Sequence, residues 1–84
     1  MLHELIKIGE TIPEVAMINT PDGLIFDGDE YRQWINDCLA YLESHYTTLD
    51  MNKYFKGSAE KACGSSSENY NNMMNILRSL LKLQ

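Results

Sequence analysis

The sequence predicts an all-α fold: a small bundle of about four helices, with a short extended apolar segment between the first and second. Three observations carry that reading. Over residues 27–46, at 100° per residue, Tyr31, Trp34, Ile35, Cys38, Leu39, Tyr41, Leu42 and Tyr46 fall within an arc of roughly 160°, while Arg32, Gln33, Asn36, Asp37, Glu43 and Ser44 lie opposite. Near the C-terminus Met73, Met74, Ile76, Leu77, Leu80, Leu81 and Leu83 span roughly 180°, with Asn75, Arg78, Ser79 and Lys82 on the other side. The segment NTPDG at residues 19–23 is a strong turn signal, because Pro21 fixes φ and Asp22-Gly23 supplies a local hydrogen bond and a permissive backbone.

The elements follow in order. Residues 2–12 place Leu2, Leu5, Ile6 and Ile12 on a narrow apolar stripe and read as a first helix. Pro13 ends or bends it, since proline cannot donate to the helical ladder and restricts the residue before it; a new turn starting at Pro13 would carry Glu14 to Ile18. Leu24, Ile25 and Phe26 form a short extended plug, and with no evident partner strand they are not expected to build a sheet. Asp27 or Asp29 caps the Trp34 helix, which runs from about residue 28 to 46 and stops near Thr47-Thr48. Asp50 opens a short third helix, MNKYFK, closed by Gly57 in the left-handed conformation, with SAEKACG holding one more turn. Ser65 and Glu68 have capping-box spacing at the start of the last helix.

Size and composition narrow the function. The chain has 84 residues, 44% of them hydrophobic and 23% charged, which reads as one globular helical domain over 1–84. Its net charge is −5, and Lys7, Arg32, Lys53, Lys56, Lys61, Arg78 and Lys82 form no basic stripe, so a nucleic acid polymer is not an expected partner. The start MLHELIKIGE is too polar for a signal peptide or a membrane span, so the expected compartment is the cytoplasm. There Cys38 reads as a small buried hydrophobe, not bridged to Cys63.

Motifs for chemistry are weak. His3 and His45 stand without HExxH, CxxC or a carboxylate at metal-ligand spacing, so no metal or cofactor is expected; His45 reads as an oriented structural histidine at the edge of its apolar arc. Asp22, Asp27, Asp29 and Glu30 fail calcium-loop spacing because Leu24, Ile25 and Phe26 interrupt them. Cys63 precedes a serine-rich helix start that would favour a thiolate, yet no base can be paired with it, and GSSS lacks the lysine or glycine pattern of a phosphate loop. No catalytic residue is assigned.

What remains is contact surface. Tyr54 and Phe55, between Lys53 and Lys56, are candidates for an exposed contact. The last helix is wider in apolar residues than one packing contact needs, so Ile76, Leu80 and Leu83 are interface candidates. Either a second molecule covers that face, or the first helix and the 24–26 plug fill it internally.

Leu5-Ile6-x-x-Gly9-Glu10-x-Ile12, Tyr31-x-x-Trp34, Cys38-Leu39-x-x-Leu42, Tyr54-Phe55 and Ile76-Leu77-x-Ser79-Leu80 together resemble a helical region at the N-terminus of bacterial proteins of poorly defined role. Some of those proteins look like abortive-infection or nucleotide-signalling effectors. The resemblance implies a non-enzymatic interaction or oligomerisation module, with protein as partner, a second copy of the chain first among them, and with no catalytic residue to carry over. It also implies a continuation into an effector domain beyond Gln84, so the chain is either a standalone version or a fragment. The alternative is a small oligomeric protein that binds a nucleotide signal, at a site holding Lys or Arg and an aromatic.

Overall fold

The computed structural model describes residues 1–45 and 50–83. Four helices and one hairpin run in the order α1 (Leu2–Ala16), β1 (Met17–Thr20), β2 (Gly23–Phe26), α2 (Asp29–His45), α3 (Asp50–Ala62) and α4 (Ser67–Lys82). The expected bundle of about four helices is present. Tyr46, counted on the Trp34 face, and the expected stop at Thr47-Thr48 lie outside the described residues.

Helix α1 passes straight through Pro13 and ends at Ala16, so the restart that would have carried helix to Ile18 does not occur. A proline inside a helix leaves the carbonyl four residues earlier without its donor. Here that carbonyl belongs to Gly9, and the Tyr70 hydroxyl donates to it at 2.7 Å in a buried setting. The lost ladder bond is replaced from α4.

The expectation that residues 24–26 would lack a strand partner is also overturned. Met17 pairs with Phe26, Ile18 with Ile25, Asn19 with Leu24 and Thr20 with Gly23, antiparallel around a Pro21-Asp22 turn. Gly23 takes φ +124°, open to glycine at no steric cost, and the Thr20 hydroxyl donates to its carbonyl at 2.6 Å. The far edge of β2 is closed by the connection between α3 and α4: Phe26 N–H donates to the Ser65 carbonyl and Gly64 N–H to the Phe26 carbonyl, each at 2.8 Å.

Gly57 does not end α3. It sits in the helix interior, and the helix continues to Ala62 because Phe55 and Ala62, seven residues apart on one face, are both buried. Burying that face outweighs the roughly 1 kcal/mol that glycine costs a helix. The left-handed terminator is Gly64, at φ +81°. Ser65 likewise does not build a capping box: α4 starts at Ser67 after Ser66, with no side-chain cap, and the Ser65 hydroxyl instead donates to the Ala62 carbonyl at 2.7 Å, satisfying the end of α3. Asp27 accepts the Gly28 N–H at 2.7 Å and pairs with Arg32 at 3.0 Å, just ahead of α2.

The core is aromatic at its centre. Phe26 stacks on Tyr70 with centroids 5.0 Å apart, Tyr31 on Trp34 at 6.1 Å, and Phe26 meets Tyr31 edge-on at 5.8 Å. Trp34 is buried and its Nε1–H donates to the Leu5 carbonyl at 2.8 Å, which pins α2 to α1. Met73, Met74, Leu77 and Leu80 of α4 pack into the same core against α1, α3 and β2.

Candidate functional site

Most of the wide apolar face of α4 is covered from within the chain: Met73, Met74, Leu77 and Leu80 are buried against α1, α3 and β2, while Ile76 and Leu81 are half-buried. Leu80 is fully buried, and so is Phe55 on α3. Neither offers surface to a partner, because each lies on the buried stripe of its own helix. Of the other interface candidates, Tyr54 and Leu83 are each 70% exposed, while Ile76 is half-buried. Tyr54 and Ile76 are brought together in a groove between α3 and α4 with Met51, Ser58, Asn72 and Asn75. Leu83 stands apart, past the end of α4.

The exposed apolar side chains that sequence reasoning missed belong to α1 and the hairpin. Ile8, Val15, Met17, Ile18 and Leu24 are all exposed, Ile18 by 44% and Leu24 by 51%. The register puts Met17 and Leu24 on the face that also carries buried Phe26, and Ile18 with Ile25 on the other. This hairpin is therefore apolar on both faces. The signal was present in the sequence: in LIF and MI no polar residue alternates, so no strand face is left polar.

Charge divides along the chain as well. Nine of the twelve carboxylates lie in residues 1–45, against only Lys7 and Arg32, whereas five of the seven cations lie in residues 50–82. Lys53 and Lys56 line a cavity of about 210 Å³ between α2 and α3, together with Glu43, Asn52, Leu39 and Leu42. That lining contains no aromatic ring, the stacking partner a nucleotide base takes up.

The groups capable of chemistry are spread apart. Cys63 is exposed and lies near Arg32, whose pKa is raised first by Cys63 and then by Asp27. Cys63 thus belongs with the start of α2. His45 is at the other end of the same helix, thirteen residues or about 20 Å from Arg32, with its ring stacked on Tyr41 at 4.3 Å and its Nδ1 3.1 Å from the Tyr41 carbonyl oxygen. No thiol and imidazole pair forms among the described residues. Cys38 is buried, and burial, followed by the nearby Asp37, pushes its thiol up to about 12. Tyr31 and Tyr70 are raised mainly by burial.

Among the described residues no three His, Cys, Asp or Glu side chains are grouped to hold a metal, and no helix is long and apolar enough to cross a membrane. Comparison with known protein families, with curated proteins and with solved structures finds no match for this chain.

Proposed function

We propose that this chain is a non-enzymatic interaction module that associates with a second copy of itself through the hairpin. The observation that supports this is the two-faced apolar character of β1 and β2, with Met17, Ile18 and Leu24 exposed beside a β1 edge that no strand among the described residues pairs. In the antiparallel register Ala16 and Asp27 form a hydrogen-bonded pair, so the N–H and C=O groups of Met17 and Asn19 point outward. An apolar strand with an unpaired edge is a ready partner for another strand, and apolar side chains gathered in one region mark contact surface more than scattered ones do.

Sedimentation velocity from micromolar to millimolar protein tests the reading. A concentration-dependent dimer is expected for the natural chain and a monomer for Ile18→Lys/Leu24→Lys, whose two substitutions fall on exposed positions and leave helicity unchanged. A monomer at every concentration, or a dimer indifferent to the double substitution, refutes it.

A further inference from the structure

Along the line where α1 packs on α2 the surface forms two depressions that meet at Asp37. One, of about 480 Å³, is lined by Ile8, Gln33 and the buried Trp34 together with Asp29, Glu30 and Asp37. The next holds Met1, Ala40 and Tyr41 beside Asp37. From Asp29 to Tyr41 this groove follows twelve residues of helix, about 18 Å. On the α1 side Met1, Glu4, Ile8 and Val15 share one exposed stripe at helical spacing, so Glu4 adds a fourth carboxylate. The cation nearest on α2, Arg32, is turned to Asp27 at 3.0 Å, with Asp29 at 3.9 Å. Gln33 donates to Asp37 at 2.9 Å, holding that carboxylate along the groove.

We propose that this groove is a docking site for a basic amphipathic helix of another protein, about three turns long. A groove between two packed helices accepts a third helix by ridge and groove complementarity, with apolar side chains at i, i+3/i+4 and i+7 as anchors. The occupant's apolar residues rest on Ile8, Ala40 and Tyr41. Its lysines or arginines meet Asp29, Glu30, Asp37 and Glu4, a charge pattern that a basic partner complements and an acidic one does not. The proposal rests on the interaction reading above but on a different surface from the hairpin, so the two fail separately.

The probe is a fluorescein-labelled fourteen-residue peptide of leucine and lysine, with leucine at helical i, i+3/i+4 and i+7 spacing, titrated with the full chain and read by anisotropy. A peptide of the same composition with the leucines scattered is the control. The patterned peptide is expected to bind at least about tenfold more tightly than the scattered one, and Glu30→Lys/Asp37→Lys and Ile8→Ser are each expected to weaken it by about tenfold. Glu60→Lys on α3 and the hairpin variant Ile18→Lys/Leu24→Lys should bind the patterned peptide like the natural chain. Equal binding of both peptides, or equal loss with Glu60→Lys and Glu30→Lys/Asp37→Lys, would reduce the effect to net charge and overturn the proposal. So would a dimer of the natural chain that Ile8→Ser dissociates, because the occupant would then be a second copy.

Discussion

The same substitution at two glycines should move stability in opposite directions. Gly57 lies inside α3 with nothing within 4 Å of where a Cβ would stand, so Gly57→Ala gains helix propensity alone, about 0.5–1 kcal/mol. Gly9 lies inside α1, and there a Cβ would sit 2.5 Å from Met74 Sδ, 2.7 Å from Cζ2 of Trp34 and 3.0 Å from its Cε2. Carbon contacts settle at about 3.5–4.0 Å, so roughly 1 Å of overlap must be relieved. Met74 can swing aside, but the indole cannot move freely, because its Nε1–H is bonded to the Leu5 carbonyl at 2.8 Å. Overpacking of this kind costs about 1–3 kcal/mol, and weakening a buried hydrogen bond adds about 1 kcal/mol. Set against the propensity gain of about 1 kcal/mol, Gly9→Ala should lose about 1–3 kcal/mol. For a domain of this size that is a fall in Tm of about 4–24 °C, while Gly57→Ala should raise it by about 2–8 °C. Urea unfolding followed by Trp34 emission and by far-ultraviolet circular dichroism gives both values in one experiment. Gly9→Ala with stability equal to or above the natural chain would refute the close approach of α1 to α2 and α4.

Three further outcomes are expected. The Tyr31 hydroxyl is buried with no hydrogen-bond partner among the described residues, whereas that of Tyr70 satisfies the carbonyl freed by Pro13. Tyr31→Phe should therefore be neutral or stabilising by up to about 1 kcal/mol and Tyr70→Phe destabilising by about 1–3 kcal/mol, read by urea unfolding; the reverse order would contradict the assignment. An exposed Cys63 and a buried Cys38 mean that a thiol-reactive reagent should label one cysteine in the native chain and both in denaturant, which mass spectrometry counts. Because burial raises the Cys38 thiol from 9.0 to about 12, the unfolded chain holds fewer protons than the folded one above pH 9. Stability is then full below pH 9 and falls as pH rises towards 12, a decline that Tyr31 and Tyr70 steepen and that Cys38→Ala should make shallower in a series of urea midpoints.

The helical frame was legible because periodicity records burial directly. Trp34, Cys38 and Leu42 on α2, and Met73, Leu77 and Leu80 on α4, occupy the positions their spacing assigned. Features fixed by contacts distant in sequence were not. Ser65 has the spacing of a capping residue, yet its backbone is drawn onto Phe26 of β2, thirty-nine positions earlier, and its hydroxyl turns back to α3. Pro13 reads as a helix end until Tyr70, from α4, supplies the missing donor. Met17 and Ile18 continue the spacing of a helical turn after Pro13, which hides the partner strand of residues 24–26; the two-residue Pro21-Asp22 loop is the local clue to the hairpin. Of the five interface candidates Phe55 and Leu80 lie in the core, because apolar span on a helix counts its contacts and does not say whose they are.

That distinction has a direct consequence for how α4 can be probed. Leu80 and Leu83 are three residues apart and look equivalent in sequence, but Leu80 is fully buried and Leu83 is 70% exposed. Leu80→Glu removes a buried leucine, a loss of about 2–5 kcal/mol, and leaves a carboxylate without a partner in an apolar core, which adds several kcal/mol more. A domain of this length has a total stability of about 4–13 kcal/mol, so Leu80→Glu should leave the chain largely unfolded or severely weakened at 25 °C. Leu83→Glu falls among surface changes of within about 0.5 kcal/mol. Far-ultraviolet circular dichroism and a thermal melt of both variants decide the matter. If Leu80→Glu folds as well as Leu83→Glu, the α4 face is not packed as described and an intermolecular role for it returns. If only Leu80→Glu collapses, loss of association in that variant reports the core and carries no information about an interface.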